Sequence, residues 1–354
     1  MLMERLSIHA TLIRSSSYAL YMLLFLLACA QVANGVDCVE NVAAGDNVCA
    51  VPEQPERDFL LHLPPAYDGS TPLPLLISFH GGGGQKEGAN RSTCKDGVVG
   101  DPSCMSSVAD QRGWAVVYPD GTGAPLSPSM RTWNAGGGLS DGWKCVSGYA
   151  CKNGVDDLAY VDALLAELHA IFPIDDQKIF ATGISNGGAM SHRLACARAD
   201  IFAGIAAVGG ANQAMVDPGC SPSRPVPVLQ IHGTADPCWG FDGGSSACLQ
   251  KDGEKYISVE ETLVGSETRP GWARMNGCGL TPVESSLPDT AEDGTTTTRS
   301  DWSGCAAPVS LLAVEGGGHT WPGGWQYLRE RKIGKVGQDW VATEQILDFF
   351  EAIP

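Results

Sequence analysis

The chain has 354 residues, and its 40 acidic against 23 basic side chains give a formal net charge of −17. An acidic protein of this kind repels phosphate backbones and anionic membranes, which argues against nucleic acid as a partner. A hydrophobic content of 44% suffices for a substantial core, and the length suits one large α/β domain with long loops.

The N-terminal segment up to residue 35 has the pattern of a signal peptide. Two arginines precede an apolar run, Tyr18–Ala30, which is too short to span a bilayer comfortably and is followed by small residues. We expect cleavage after Ala30 or after Gly35, which leaves residues 36–354 as a single secreted domain, monomeric and free of the membrane. As an alternative, residues 26–29 resemble a bacterial lipoprotein signal, with Cys29 as the lipid anchor and a periplasmic or lipid-anchored location.

Strands and helices are predicted to alternate along the mature chain. Short apolar runs predict strands at Phe59–Leu63, Leu75–Phe79, Trp114–Tyr118, Gly204–Val208, Val226–Ile231 and Val309–Val314. Helical periodicity predicts helices at Met105–Gln111, Asp156–Ile171, Tyr256–Leu263, Trp272–Asn276 and Val341–Glu351. Polar loops are predicted for Gln85–Pro102 and Thr122–Gly154, the second long enough to suggest a wall of a binding cleft. The alternation indicates an α/β fold, a mostly parallel sheet with helices on both faces.

The stretch Lys178–Ala197 joins an apolar run to an amphipathic segment through Gly183-Ile184-Ser185-Asn186-Gly187. This is the Gly-x-Ser-x-Gly pattern of a nucleophile elbow, set between a predicted strand and a predicted helix. The flanking glycines leave room for a sharp turn, and the helix N-terminus directs its N–H groups at the serine hydroxyl. Ser185 is therefore the predicted nucleophile.

An acyl-transfer serine needs a base and a group that orients the base, and in parallel sheets these follow the carboxyl ends of other strands. Asp236 follows the strand that ends at Ile231, and His319 follows three glycines after the strand that ends at Val314. The order Ser185, Asp236, His319 is the order of an α/β-hydrolase triad, so these are the predicted acid and base. The weaker alternatives are His62, His169, His192 and His232 for the base, and Asp242 and Asp252 for the acid.

Two backbone N–H groups are expected to hold the oxyanion. The first is that of Asn186, next after the nucleophile, and the second comes from the glycines that follow the strand Leu75–Phe79. Gly82 is the predicted donor, with Gly81 and Gly83 as neighbouring alternatives, because glycine lets the backbone approach a substrate closely. A phosphate-binding role of this loop is disfavoured, since the Lys and Ser/Thr of a P-loop are missing and no dinucleotide fingerprint is present.

The chain has 13 cysteines, and without Cys29 an even number remains, which suits disulfides in an oxidising compartment. The simplest hypothesis pairs neighbours along the chain: Cys38/Cys49, Cys94/Cys104, Cys145/Cys151, Cys196/Cys220, Cys238/Cys248 and Cys278/Cys305. A metal site is not indicated, because no Cys-x-x-Cys occurs and no two histidines have ligand spacing.

With these residues in place, the chain resembles the secreted esterases grouped as feruloyl esterases and polyhydroxybutyrate depolymerases. The motifs that carry the resemblance are His80-Gly81, Arg131–Asn134, Val155–Asp157, Gly183–Met190, His232–Asp236, Asn276–Cys278, Trp302–Cys305 and Gly316–Gly324. They span essentially all of the mature chain, and GGGHTWPGG at 316–324 is the most specific. The resemblance implies an α/β-hydrolase fold, a Ser-Asp-His triad and no cofactor.

Trp133, Trp321 and His80 are the predicted substrate contacts, the two indoles because they suit stacking on an aromatic acid or a sugar ring. We expect a small-molecule or polymeric ester as substrate, in particular a hydroxycinnamoyl ester of plant cell-wall polysaccharide such as xylan. The alternatives are a polyhydroxyalkanoate depolymerase, an acetylxylan esterase and, in a different class, a non-catalytic binding protein with a hydrolase fold. The last should have lost a triad member, and none is missing here.

Overall fold

The computed structural model describes residues 38, 42–138, 145, 148–244 and 256–353. The chain divides into two units, Met1–Val36 and Asp37–Pro354, and the described residues belong to the second. The predicted signal peptide, its cleavage sites and the lipoprotein alternative at Cys29 lie outside the described residues. Within the described ranges, no helix combines the length and the hydrophobicity that a membrane crossing requires.

The strands are β1 (Gly45–Val51), β2 (Gln54–Leu63), β3 (Leu73–Phe79), β4 (Ala115–Pro119), β5 (Thr122–Ala124), β6 (Ser127–Thr132), β7 (Ile174–Ile184), β8 (Gly204–Val208), β9 (Val228–Gly233), β10 (Val283–Ser286), β11 (Thr296–Trp302) and β12 (Val309–Glu315). In the described residues, ten of them form one sheet in the order β1-β2-β4-β3-β7-β8-β9-β12-β11-β10, while β5 and β6 pair as a separate hairpin. The central strands β4, β3, β7, β8, β9 and β12 run parallel. Antiparallel strands extend both edges. The predicted α/β class is confirmed, and this is the sheet of an α/β-hydrolase.

The helices are α1 (Lys86–Thr93), α2 (Met105–Arg112), α3 (Tyr149–Lys152), α4 (Asp157–Ile171), α5 (Asn186–Ala197), α6 (Val259–Leu263), α7 (Trp272–Met275), α8 (Glu330–Ile333) and α9 (Ala342–Glu351). The predicted helices α2, α4, α7 and α9 lie within one residue of their expected bounds. The start of α4 is set by Asp156, whose carboxylate accepts the N–H of Ala159 at 3.0 Å.

The core lies on both faces of the sheet. Along β3, Leu75 and Ile77 belong to one buried cluster and Leu76 to the other, because successive side chains of a strand point to opposite faces. Helices α4 and α5 cover the first face, and α2 and α9 cover the second. The result is a helix–sheet–helix sandwich in which the strand ends of one edge stay accessible to form a site.

Two of the predicted loops contain regular structure. Residues 85–102 include helix α1, and residues 122–154 include the β5–β6 hairpin and α3. The buried stripe of α1 is largely polar, which hides its periodicity: Lys86 donates from its backbone to Asp120 at 2.8 Å, and Asn90 accepts from Tyr118 at 3.1 Å. A helix whose buried face is satisfied by hydrogen bonds to distant residues has no apolar pattern to reveal it.

Five of the predicted disulfides are confirmed in the described residues: Cys38–Cys49, Cys94–Cys104, Cys145–Cys151, Cys196–Cys220 and Cys278–Cys305. Cys248, the predicted partner of Cys238, lies outside the described residues. The confirmed bridges close short loops around the sheet, and they fit an oxidising, extracellular environment.

Candidate active site

Ser185 stands at the corner between β7, which ends at Ile184, and α5, which begins at Asn186. Its backbone has a φ of 58°, in the region that residues other than glycine rarely adopt. A Cβ on Gly183 or on Gly187 would overlap the carbonyl oxygen of Phe79. The two glycines therefore let the turn press against the end of β3, which produces the sharp elbow that the sequence predicts.

The predicted acid and base lie at the ends of two paired strands. Asp236 follows β9 and His319 follows β12. Nδ1 of His319 lies 2.6 Å from Oδ2 of Asp236. The other carboxylate oxygen, Oδ1, accepts the backbone N–H groups of Cys238 at 2.7 Å and of Trp239 at 2.9 Å. The carboxylate is therefore held in one orientation toward the imidazole.

The environment of Asp236 favours its charged form. Burial by itself raises the pKa of this carboxyl, because the Asp236 side chain is 0% exposed. The positive charge of protonated His319 and the hydrogen bonds from His232 and His319 outweigh burial and hold the pKa below its usual range. Asp236 is therefore ionised near neutral pH, where it can stabilise a positive charge on His319.

Ser185 and His319 line the same cavity, whose volume is about 360 Å³. The loop His80–Gly84 forms another part of its wall. This volume lies at the lower end of the range that small-molecule sites occupy. The structure thus brings the predicted nucleophile, base and glycine loop to one cavity, with Asp236 directly behind the base.

The N–H groups of the glycine loop are used unequally. Gly83 donates to the carbonyl of Arg131 at 2.7 Å, and Gly84 donates to that of Gly81 at 2.9 Å. Within the part of the chain that the structure describes, the N–H groups of Gly81 and Gly82 have no hydrogen-bond partner. Gly83 is therefore removed from the candidate oxyanion donors, while Gly82 and its neighbour Gly81 keep an N–H for a ligand.

The chain is similar to named esterases over most of its length. It is 31% identical to NocK of Nocardia uniformis subsp. tsuyamanensis, a protein named as an esterase, across 83% of this chain and 78% of that protein. The chain belongs to this esterase family. Feruloyl esterase C of Emericella nidulans is 29% identical, across 74% of the chain and 76% of that protein. The protein is accordingly a carboxylic ester hydrolase.

Two further comparisons add no finer assignment. No protein-family model matches the esterase. Among solved structures, acetyl xylan esterase from Aspergillus awamori is 14% identical, with a TM-score of 0.49 over 78% of this chain and 94% of that chain.

The two tryptophans predicted to contact substrate lie in the core of the esterase. Trp133 is 0% exposed; its indole N–H donates to the carbonyl of His80 at 3.0 Å, and its ring packs edge-on against Phe79. Trp321 is 1% exposed and packs in the core on the opposite face of the sheet. Neither side chain lines the cavity, so the prediction that they stack on substrate is wrong.

His80 lines the cavity, but both of its ring nitrogens are bonded within the protein. Nδ1 lies 2.8 Å from the carbonyl oxygen of Gly81, and Nε2 accepts the N–H of Gly121 at 3.0 Å. Burial lowers the pKa of His80 to about 4, so the imidazole is neutral and Nδ1 carries the proton. The two ring nitrogens therefore shape the glycine loop, and the contact of His80 with substrate stays a prediction.

A buried ion pair supports the segment that carries Trp133. Arg57 on β2 is 2% exposed and lies 2.5 Å from Oδ1 of Asp157 on α4. The other carboxylate oxygen accepts the N–H of Asn134 at 2.5 Å, and the guanidinium lies 3.5 Å from the centre of the Tyr160 ring. These contacts tie β2, α4 and the residues after β6 together beneath the glycine loop.

The cavity has an apolar wall that the sequence analysis missed. It is formed by residues of the segment after His319, namely Trp325, Tyr327, Leu328 and Ile333. These side chains have neither helical nor strand spacing, so periodicity does not single them out. The usable signal is their position, a non-periodic cluster of large apolar residues in the segment that follows the predicted base.

Two members of this wall are fixed by specific contacts. The guanidinium of Arg91 lies 4.5 Å from the centre of the Trp325 ring, and the indole packs closely against Gly97. The hydroxyl of Tyr327 donates to the backbone carbonyl of His319 at 2.9 Å. The wall and the base are therefore positioned together.

The alternative candidates that the structure describes do not line the cavity. Of those within the described residues, none lines it: His62, His169, His192, His232 and Asp242. Asp252 lies outside the described residues.

One group of potential metal ligands overlaps the site. Asp236, Cys238 and His319 place ligand-type atoms within 4.8 Å of one another. Cys238 is disulfide-bonded and offers no thiolate, and Nδ1 of His319 is bonded to Asp236. The chemistry of this group suits an acid–base pair better than a metal site.

Proposed function

We propose that Ser185, His319 and Asp236 form a Ser-His-Asp triad that hydrolyses esters through an acyl-enzyme. One observation carries the proposal: a serine on a strained elbow lines the same cavity as a histidine whose Nδ1 is bonded to a buried carboxylate. Nucleophilic acyl transfer needs this arrangement, because the base requires a partner that fixes its tautomer and stabilises its charge.

Because Nδ1 of His319 faces Asp236, Nε2 is the nitrogen available to Ser185. Oγ of Ser185 attacks the ester carbonyl carbon while Nε2 takes the hydroxyl proton, and the N–H groups of Asn186 and Gly82 stabilise the oxyanion. His319 then gives this proton to the leaving alcohol as the C–O bond breaks. Water, deprotonated by His319, attacks the acyl-enzyme, and the acid leaves as Ser185 regains its proton.

The triad is tested by replacing its nucleophile. Ser185→Ala should lower kcat by about 10⁶-fold while substrate binding persists. Ser191→Ala is a matched control, because Ser191 lies on the same helix and its hydroxyl donates to the carbonyl of Gly187. A Ser185→Ala enzyme that kept more than a few per cent of the activity would refute the assignment.

We assign the acyl group to the hydroxycinnamoyl class, esterified to a plant cell-wall polysaccharide such as xylan. The support is the apolar wall beside Ser185, in which Trp325 offers an aromatic face and Leu328 is 54% exposed at the rim. The relatives named feruloyl esterase C agree with this acyl group.

The substrate assignment is tested with a panel of esters. Initial rates are compared on methyl ferulate, an acetylated xylan and a 3-hydroxybutyrate oligomer, and ferulate release is measured from feruloylated arabinoxylan. We expect the largest kcat/KM on the ferulate esters. A higher kcat/KM on the acetyl or hydroxybutyrate ester would overturn the assignment and leave the triad untouched.

We further propose that the esterase acts outside the cell once its N-terminal segment has been removed. The support is the leader pattern together with the confirmed disulfides. N-terminal sequencing of the exported protein should find a start at Gln31 or at Val36. A mature protein that began at a lipidated Cys29 would contradict this cleavage.

A further inference from the structure

A network of buried polar side chains lies behind Asp236. Trp272 donates from its indole N–H to Nδ1 of His192 at 3.0 Å, and Nε2 of His192 lies 2.9 Å from Oε1 of Gln230. Nε2 of Gln230 lies 3.1 Å from Nδ1 of His232. Nε2 of His232 lies 2.8 Å from the carbonyl oxygen of Trp239 and 3.4 Å from Oδ2 of Asp236.

Along this network every hydrogen bond is donated in the same direction, from Trp272 toward His232. An indole N–H can only donate, so Nδ1 of His192 is the acceptor and Nε2 carries the hydrogen. The Nε2–H group of His192 therefore donates a hydrogen bond to Oε1 of Gln230. The amide nitrogen of Gln230 then donates to His232, which leaves the proton of His232 on Nε2. That N–H donates to the carbonyl of Trp239 at 2.8 Å, and the same nitrogen lies 3.4 Å from Oδ2 of Asp236, so each tautomer is determined by its neighbour.

Burial keeps the histidine of this network on α5 neutral and its hydrogen bonds shielded from water. Trp272, His192, Gln230 and His232 are each 1% exposed or less. Burial lowers the pKa of His192 to about 4, so this imidazole is neutral near pH 7, as its place between a donor and an acceptor requires. In a buried network of this kind, each member is costly to leave without a partner.

The same network joins two of the elements that carry the proposed triad. His192 lies on α5, the helix that begins directly after Ser185. Gln230 and His232 lie on β9, the strand that precedes Asp236. The network therefore braces the nucleophile helix against the loop of the acid.

We propose that His232, oriented by Gln230 and His192, is a positioning residue that supplies Asp236 with a second imidazole N–H and so holds the carboxylate toward His319. The inference rests on the proposed triad, since it gives His232 a role only through Asp236. His232 does not line the cavity.

A matched pair of substitutions tests this role. The polar end of Asn reaches about the position of Nδ1, so His232→Asn keeps a partner for Gln230 and loses the donor to Asp236. His232→Gln places an N–H near the position of Nε2. We expect His232→Asn to lower kcat by about 10- to 100-fold with KM within about twofold, and His232→Gln to restore kcat to within about fivefold of the native enzyme. Equal losses in both variants would overturn the proposal, because they would indicate packing alone.

A double-mutant cycle with Asp236→Asn separates this inference from the triad. If His232 acts through Asp236, adding His232→Asn to Asp236→Asn should lower kcat by less than about threefold further. Independent, multiplying losses would overturn the positioning role. An Asp236→Asn enzyme of nearly native activity would refute the triad itself, whereas an inactive Asp236→Asn beside a fully active His232→Asn would refute the inference alone.

Discussion

The backbone of Trp133 is bonded at both its polar groups to the side-chain amide of Asn186. The N–H of Trp133 donates to Oδ1 at 2.7 Å, and its carbonyl accepts from Nδ2 at 3.0 Å. Asn186 is 0% exposed, and its own N–H is the first proposed oxyanion donor. The amide side chain therefore anchors the first residue of α5 to the segment after β6.

Replacing this amide should cost stability. Asn186→Ala leaves the buried N–H of Trp133 without a partner, while the carbonyl of Trp133 keeps the N–H of Ala135 at 3.1 Å. We expect this loss to lower the free energy of unfolding by about 1–3 kcal/mol. Asn153→Ala is the control, because Asn153 is exposed and its amide donates to one backbone carbonyl, that of Tyr149. Urea denaturation measures both variants, and equal effects would contradict the anchoring role.

The sequence predicts the site best for those residues that come directly after a strand. Asp236 and His319 each follow a buried strand, so their positions are dictated by local pattern and by the parallel order of the sheet. The burial of Trp133 is not predictable in this way, because its surroundings are set by Arg57 and Tyr160, which come from β2 and α4. Contacts between residues so far apart in the chain leave no local pattern.

The same reason explains what the sequence analysis missed. Trp325 reaches the cavity because the segment after His319 folds back against α1 and the turn that follows it, with the N–H of Trp325 donating to the carbonyl of Ser92 at 3.1 Å. Helix α1 was itself predicted as a loop. Without α1, the sequence gives no surface against which the segment of Trp325 could pack, so it does not predict the apolar wall.

The elbow should tolerate no side chain at its second glycine. A Cβ on Gly187 would overlap the carbonyls of Phe79 and His80, so Gly187→Ala should lower the free energy of unfolding by about 3 kcal/mol or more. Gly88→Ala is the control, because Gly88 lies within α1 with nothing inside 4 Å of a Cβ. Thermal unfolding should show that variant unchanged or up to about 1 kcal/mol more stable. A Gly187→Ala protein as stable as the native one would show that the elbow can relax.

The stability of the esterase should fall as the pH falls below 6.5. Burial lowers the pKa of His80 and of His192 to about 4. The unfolded chain takes up these protons near pH 6.5, so between pH 6.5 and about 4 it binds more protons than the folded chain. In this window each histidine lowers the free energy of unfolding by roughly 1.4 kcal/mol for every unit by which the pH falls. His192→Gln should make the slope shallower by about one proton in urea titrations across this window, and an unchanged slope would contradict a buried, neutral His192.

The apolar wall should decide which acyl group the esterase prefers. Trp325 lines the cavity with Ser185, and its ring is held in place by Arg91, so Trp325→Ala removes a fixed aromatic surface from the acyl side of the site. We expect kcat/KM for methyl ferulate to fall by about 10- to 100-fold, as the loss of one buried aromatic contact implies, and kcat/KM for a nitrophenyl acetate to fall by less than about threefold. Leu126→Ala is the control, because Leu126 is 98% exposed and does not line the cavity, so both rates should be unchanged. Equal losses on the two esters would show that Trp325 supports the fold of the site and leaves its choice of acyl group to other residues.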